Sequence, residues 1–137
     1  SSNSDRGIFL SSSSSSNTLT NITANSNSNY GLYLSSSSSN TFTNITANSN
    51  SIGFYLDTSN SNNLSKITAR SNSNYGIYLL SSSSNTITNS TATSNADGIR
   101  FSGGGSNTVV NVNLSANSYG LQSFSSTSNS ADDGSPR

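Results

Sequence analysis

Charged side chains are few in this 137-residue sequence, and they are the residues that could perform acid–base chemistry. Five acidic and five basic residues give a net charge of zero, and histidine and cysteine do not occur. The charged residues are Asp5, Asp57, Asp97, Asp132, Asp133, Arg6, Lys66, Arg70, Arg100 and Arg137. General acid–base catalysis needs paired groups within hydrogen-bonding reach of one substrate. The elements that carry these residues decide whether any two of them meet.

Aromatic side chains are the second set of candidate residues. Phe9, Tyr33, Tyr55 and Tyr78 each occupy the third position of a recurring tetrapeptide of glycine, apolar, aromatic and apolar residues, with Arg100 and Gln122 at the same position further along. If these residues align, they predict an exposed aromatic stripe that binds sugar rings or a protein surface. The alternative is that aromatic residues simply stack along a β-sheet.

The spacing of the repeat determines how these residues are positioned. The tetrapeptides begin at Gly7, Gly31, Gly53, Gly76, Gly98 and Gly120, in steps of 24, 22, 23, 22 and 22 residues. Asparagine follows nine or ten residues after each glycine, at Asn17, Asn40, Asn62, Asn85, Asn107 and Asn129. A second asparagine row follows ten residues later, at Asn27, Asn50, Asn72, Asn95 and Asn117. A fixed repeat of this length is typical of a solenoid.

Within one unit the apolar residues indicate short β-strands. Leu32 and Leu34 alternate around Tyr33, which is the strand period, and Phe42 and Ile45 follow at isolated positions. Serine and asparagine make up 62 of the 137 residues, a composition that by itself favours disorder. One unit cannot bury its apolar residues alone, but stacked units form a continuous core. We therefore predict a single all-β domain over 1–137, with about six coils of 22–24 residues, three short strands per coil and an irregular tail at 130–137.

The unit GIYLLSSSSNTITNSTATSN at residues 76–95 resembles the parallel β-helix repeat of NosD-like periplasmic proteins and of the carbohydrate-binding and sugar-hydrolysing β-helix family. The resemblance covers residues 3–129 and implies a right-handed parallel β-helix with three sheets. It gives little information on function, because proteins of one fold perform many tasks. The copper association of NosD-like proteins is not expected here, because soft-metal sites need histidine, methionine or cysteine. We predict no cofactor.

Stacking assigns roles to the asparagines and to the charged residues. The two rows, Asn17, Asn40, Asn62, Asn85 and Asn107 with Asn27, Asn50, Asn72, Asn95 and Asn117, are predicted to form structural ladders in tight turns, where asparagine tolerates left-handed backbone. No two carboxylates share a position in adjacent coils, and sugar-cleaving β-helices work with clustered carboxylates or with a carboxylate-bound cation and a base. We therefore predict that the protein is not an enzyme.

Two further patterns suggest surface roles. N-glycosylation sequons occur at Asn21, Asn44, Asn63, Asn89 and Asn113, although serine and threonine are so frequent that sequons arise by chance. Threonine pairs such as Thr18/Thr20, Thr41/Thr43 and Thr86/Thr88 resemble an ice-binding surface, although the array is broken in the third and fifth coils. Threonine is also a favoured strand residue.

The leading functional hypothesis is an extracellular or cell-surface structural protein. Joining the chain to a second copy leaves 24 residues between Gly120 and the next Gly7, so copies are predicted to stack head to tail as a fibre, sheath or layer. We also expect the chain to be a processed product or a segment of a longer repeat protein. The alternatives are a carbohydrate-binding module that uses Phe9, Tyr33, Tyr55 and Tyr78, and an ice-binding protein. Zero net charge argues against nucleic acid as a partner, and no apolar run is long enough for membrane insertion.

Overall fold

The computed structural model describes residues 2–132, which form twelve β-strands. The strands are β1 Arg6–Leu10, β2 Thr18–Thr23, β3 Tyr30–Ser35, β4 Thr41–Thr46, β5 Ile52–Asp57, β6 Asn63–Arg70, β7 Tyr75–Leu80, β8 Thr86–Thr93, β9 Asp97–Ser102, β10 Thr108–Asn113, β11 Tyr119–Phe124 and β12 Ser130–Asp132. Over this part of the chain there is no helix of the length and apolarity that a bilayer crossing requires.

The strands form two parallel sheets that run the length of the molecule. One sheet has the order β1-β3-β5-β7-β9-β11, and the other has the order β12-β10-β8-β6-β4-β2. Each strand pairs in parallel with the strand one repeat away, for example Tyr33 with Tyr55 and Phe42 with Leu64. The chain therefore winds through six coils, and equivalent positions of the repeat lie directly above one another. This is the predicted parallel β-helix.

The number of strands per coil differs from the expectation of three. Hydrogen bonding gives two strands per coil, because the second and third predicted strands are one strand bent at a left-handed residue. In β4 that residue is Asn44, with φ of 56°. Pairing with β6 continues on both sides of the bend, at Phe42 with Leu64 and at Ile45 with Ile67. The bend at Asn44 changes the direction of the chain without interrupting the hydrogen bonds between β4 and β6.

The predicted irregular tail is also partly wrong. Ser130–Asp132 form β12, which pairs in parallel with β10 from Thr108 to Val110. Pairing of this kind uses backbone groups, so it does not need the leucine and isoleucine that the tail lacks. Residues 133–137 lie outside the described part of the chain.

The core is a narrow stack of side chains between the two sheets. In the coil formed by β3 and β4, Leu32, Leu34, Phe42, Ile45 and Ala47 are all at most 1% exposed. Burial of each large apolar side chain contributes about 1.5–3 kcal/mol. Alternation along β3 directs Leu32 and Leu34 inward and Tyr33 outward.

A row of alanines in the core was not predicted from the sequence. Ala24, Ala47, Ala69 and Ala92 are buried at the same position of successive coils. The repeating glycine packs against this row, since a Cβ added at Gly31 would lie 2.8 Å from the Cβ of Ala47. The two sheets are thus held at close range by paired small residues.

The left-handed corners do not fall on the ladder asparagines, contrary to the expectation. The residue before each ladder asparagine has the positive φ instead, as at Ser39 (59°) before Asn40 and Ser49 (57°) before Asn50. The asparagine side chain must point into the coil to reach the next rung, so the corner falls one residue earlier.

Candidate functional site

The outward face of the β1-β3-β5-β7-β9-β11 sheet carries an aromatic column, formed by Phe9, Tyr33, Tyr55 and Tyr78. Parallel pairing places one ring in each of four successive coils. The ring centroids are 5.0, 4.9 and 5.2 Å apart, and the interplanar angles are 26°, 17° and 17°. The rings therefore stack along the solenoid axis, so that the faces largely cover one another and the ring edges point outward.

A second row of tyrosines widens this surface. The ring centroid of Tyr30 lies 5.1 Å from that of Tyr33 and 5.4 Å from that of Tyr55. The ring centroids of Tyr75 and Tyr78 are 4.9 Å apart. Ile52 separates Tyr30 from Tyr75 in the row and is buried at 8% exposure. We call the aromatic column together with Tyr30 and Tyr75 the aromatic face.

An arginine lies at each end of the aromatic face. The guanidinium carbon of Arg6 is 4.2 Å from the ring centroid of Phe9, and that of Arg100 is 5.3 Å from the centroid of Tyr75. Arg100 continues the aromatic column, because it pairs with Tyr78 across the sheet. Both arginines thus make cation–π contacts with the face that they border.

Carboxylates accompany these arginines. Asp5 Oδ2 lies 2.9 Å from Arg6 Nε, but without hydrogen-bond geometry, since this Nε has no hydrogen-bond partner within residues 2–132. Asp97 is buried, and its Oδ2 lies 3.5 Å from Arg100 Nη1. Asp5 also accepts a hydrogen bond of 2.7 Å from the side chain of Asn29.

Asp57 lies at the flank of the aromatic column. The Tyr33 hydroxyl donates to Asp57 Oδ2 at 3.5 Å, and the Thr58 hydroxyl donates to Oδ1 at 3.0 Å. Burial, together with the Asp57 carboxylate and the neighbouring tyrosines, raises the pKa of Tyr55 above its ordinary value. Tyr55 therefore stays a neutral hydroxyl that can both donate and accept hydrogen bonds.

The carboxylates of this sheet are separated from one another. Asp57 ends β5 and Asp97 begins β9, two strand spacings (about 10 Å) apart along the axis. Asp57 is in register with Ser102, so the two residues are also displaced by five residues, about 17 Å, along the strands. Asp132 lies on β12 of the other sheet, and Asp133 lies outside the described residues. Residues 2–132 contain no group of three histidine, cysteine, aspartate or glutamate residues that could hold a metal ion. The geometry provides hydrogen bonds and ring contacts rather than an acid–base pair.

The predicted asparagines form two ladders inside the corners. In the first ladder, each Nδ2 donates to the Oδ1 of the next coil, from Asn17 to Asn129, over 3.1–3.2 Å. The second ladder runs in the same way from Asn27 to Asn117, over 2.9–3.3 Å. In both ladders the Oδ1 of every member other than the first one, Asn17, also accepts a backbone N–H, as when Asn62 accepts from Asn40 at 2.8 Å. Because the inner members are buried, they are structural and offer nothing to a ligand.

Sequence reasoning missed a row of buried serines. Ser37, Ser59 and Ser82 are fully buried, and the hydroxyl oxygens of Ser59 and Ser82 accept the backbone N–H of Ser37 and Ser59 at 3.0 and 2.9 Å. The signal that could have found them is their position, three residues before a ladder asparagine in every case. Because the neighbouring residues are also serines, nothing in the sequence distinguished these positions from exposed ones.

The five sequon asparagines all have exposed side chains. Asn21, Asn44 and Asn89 lie at the left-handed corner of the bent strand, whereas Asn63 and Asn113 lie at the ends of β6 and β10. Asn44 Nδ2, the atom that would carry a glycan, donates to Asn21 Oδ1 at 2.7 Å. Lys66 occupies the same corner with φ of 56°, so the corner does not require asparagine.

The threonine pairs align in two rows on the other sheet. One row is Thr18, Thr41, Asn63, Thr86 and Thr108, and the other is Thr20, Thr43, Ser65, Thr88 and Val110. The rows are interrupted at the third and fifth coils. Ice binding stays a prediction.

The protein-family model described as the right-handed β-helix region matches residues 1–134 of the sequence. No curated protein sequence matches the chain. The crystal structure of the periplasmic alginate epimerase AlgG is similar over 93% of this chain, with a TM-score of 0.87 and 19% sequence identity. A mutant of the same epimerase is similar over 92% of this chain, with a TM-score of 0.80 and 18% identity.

These likenesses concern the fold. The chain spans about a third of the epimerase, 35% and 36% of the two solved chains. The predicted right-handed parallel β-helix of about six coils is confirmed, whereas a specific likeness to NosD-like proteins stays a prediction. The chain belongs to the right-handed β-helix family.

Proposed function

We propose that this chain is a carbohydrate-binding β-helix module, and that an extended glycan binds along the aromatic face. The observation that carries the proposal is the continuous stack of Phe9, Tyr33, Tyr55 and Tyr78 across four coils. The similar solved structures are those of an alginate epimerase, so this fold also serves a protein that acts on a carbohydrate.

The direction of the column suits a linear polymer. Each coil places one ring 4.9–5.2 Å from the next, so the column runs parallel to the solenoid axis and perpendicular to the strands. Apolar ring edges contact the C–H groups of sugars, and the hydroxyls of Tyr33, Tyr55 and Tyr78 exchange hydrogen bonds with sugar hydroxyls. A polymer lying along the axis would contact several rings at once, so weak contacts add up.

The proposed role is binding rather than catalysis, in an extracytoplasmic setting. Asp57 and Asp97 are separated by two strand spacings and by five residues along the strands, whereas carboxylates that act on one glycosidic bond lie within about 5–9.5 Å of each other. The setting is supported by the nearly uncharged serine- and asparagine-rich surface and by the periplasmic location of the similar epimerase.

Substitution of Tyr55 tests the proposal. We expect Tyr55→Ala to weaken binding of soluble polysaccharides at least about tenfold, the equivalent of 1.4 kcal/mol, because it interrupts the column at its centre. Tyr55→Phe keeps the ring and is expected to retain most of the affinity. Thr43→Ala, on the outward face of the other sheet, is the matched control. Affinity electrophoresis on a panel of neutral and acidic polysaccharides measures all three.

Stability has to be measured alongside binding, because a stacked aromatic pair itself contributes about 0.5–1.5 kcal/mol to folding. Binding must therefore be compared at a temperature where every variant is folded. If Tyr55→Ala is folded and binds every polysaccharide as the unmodified protein does, the aromatic face is not the binding surface.

A second candidate function is that of a stacked structural subunit, and the first ladder favours it. In this ladder each Nδ2 donates to the next coil, always in the same direction along the axis. Among residues 2–132, the buried Nδ2 of its last member, Asn129, has no hydrogen-bond partner. A further coil with asparagine at that position would accept this hydrogen bond. Asn17, the first member of the ladder, has an exposed side chain.

The core is open at the same end of the described structure. A cavity of about 240 Å³ is lined by Phe101, Leu121, Asn129 and Ala131, among others. We propose that the first coil of a second copy, with Ile8 and Leu19 only partly buried, closes this cavity. The fibre, sheath or layer of the leading hypothesis then follows by repetition of one heterologous contact.

Ala131→Lys tests this stacking. We expect the unmodified protein to form rods that lengthen with concentration, and Ala131→Lys to be monomeric because it places a charge at the contact. Thr43→Lys, on the side of the solenoid, should leave assembly unchanged. Analytical ultracentrifugation and electron microscopy give the answer, and an unmodified protein that is monomeric at all concentrations rejects the stacking.

A further inference from the structure

The charges of the aromatic face narrow the class of glycan, on the premise that the proposed function holds. We infer that the ligand of this face is an uncharged, hydroxyl-rich polysaccharide and not a polyuronate. Two guanidiniums and three carboxylates border the face, namely Arg6 and Arg100 with Asp5, Asp57 and Asp97. The sum is one negative charge, which repels a polyanion.

Each arginine already has a carboxylate beside it and an aromatic ring beneath it, which weakens its attraction for a sugar carboxylate. Arg6 is paired with Asp5 at 2.9 Å and lies over the Phe9 ring at 4.2 Å. Arg100 is paired with the buried Asp97 at 3.5 Å and donates to the Tyr75 hydroxyl at 3.3 Å. A polyuronate would have to displace Asp97 from a site where its side chain is only 8% exposed. The charge of each arginine is therefore offset by the carboxylate next to it.

Asp57 favours ligands that carry hydroxyl groups. Among residues 2–132 it has no ion-pair partner within 4.0 Å, and its hydrogen bonds come from the hydroxyls of Tyr33 and Thr58. A carboxylate accepts up to about four hydrogen bonds, so Asp57 has capacity for donors from a ligand. Sugar hydroxyls are such donors, and charge-assisted bonds of this kind are stronger than neutral ones. Asp57 therefore selects hydroxyl-rich ligands and disfavours carboxylates.

Binding of two polymer classes at low and moderate salt tests the inference. The probes are soluble mixed-linkage β-glucan and galactomannan as uncharged polymers, and sodium alginate as the polyuronate. We expect at least one uncharged polymer to bind ten times more tightly than alginate at low salt. Added salt should reduce that ratio, because it screens the repulsion of the polyanion.

Asp57→Asn is the decisive variant. It should weaken binding of the uncharged polymer several-fold and at the same time raise affinity for alginate, so that the ratio falls. Asp132→Asn removes the same charge from the other sheet and should leave the ratio unchanged. Thermal unfolding of each variant shows that it is folded under the conditions of the assay.

The two proposals fail in different ways. Alginate binding that equals or exceeds that of the uncharged polymers, and that is lost in Tyr55→Ala, overturns the inference on glycan class and leaves carbohydrate binding in place. Equal ratios in Asp57→Asn and the unmodified protein overturn the role of Asp57. Absence of binding to every polymer overturns both proposals.

Discussion

Replacement of Asn62 by alanine is expected to destabilise the protein by about 3–5 kcal/mol, because buried groups would lose their partners. Asn62 Oδ1 accepts both the backbone N–H and the side-chain Nδ2 of Asn40, at 2.8 and 3.2 Å. Its Nδ2 donates to the carbonyl of Ser37 at 3.2 Å and to Asn85 Oδ1 at 3.1 Å. Alanine can replace none of these bonds. The cavity that it leaves adds to the cost.

The neighbouring Asn63 provides the matched control. Its side chain is exposed, so Asn63→Ala is expected to change the free energy of unfolding by no more than about 0.5 kcal/mol. Urea denaturation followed by circular dichroism measures both variants. Equal stability of the two would mean that the ladder contributes little, and that the asparagine rows must be explained by something other than stability.

Gly53→Ala is expected to destabilise the protein by about 2–3 kcal/mol, although a glycine-to-alanine change at a compatible site stabilises by about 0.4–1 kcal/mol. The reason is the close approach of the next coil. A Cβ at Gly53 would lie 2.6 Å from the carbonyl oxygen of Gly76 and 2.9 Å from that of Ala47. Both contacts are with backbone atoms, which cannot move away unless the sheets separate.

Gly120 occupies the same position in the last coil and is the control. A Cβ there would first meet Leu114 Cβ at 3.5 Å, an ordinary van der Waals distance. We expect Gly120→Ala to leave stability unchanged or to raise it slightly, since alanine restricts the unfolded chain. Thermal unfolding of the two variants decides the point. Destabilisation of the same size at both positions would show that the close approach at Gly53 is not the cause.

Much of the architecture follows from spacing in the sequence. A repeat of nearly constant length brings each position above its equivalent in the next coil, so Tyr33 had to meet Tyr55 and Asn40 had to meet Asn62. The alternation of Leu32, Tyr33 and Leu34 likewise separated the core from the surface. These relations are one-dimensional, because in a solenoid the neighbour of a residue is set by the repeat alone.

Other features could not be deduced in this way. Ser37 and Ser59 do not differ in type from the exposed serines around them, and only the direction of the backbone turns them inward. The bend at Asn44 was predicted as a break between strands, whereas the hydrogen-bond ladder continues through it. A left-handed residue changes the direction of the chain, but it does not remove the donor and acceptor that the next coil needs.

In the candidate site, too, some features follow from the sequence and others only from the tertiary structure. The sequence by itself determined that Phe9, Tyr33, Tyr55 and Tyr78 share one outward column, because that depends only on repeat length and strand alternation. The tertiary structure alone decided that the rings stack face to face, that the guanidiniums of Arg6 and Arg100 lie over neighbouring rings, and that Asp97 is buried. Side-chain direction and ion pairing depend on packing between neighbouring coils in three dimensions, and no spacing in the chain records them.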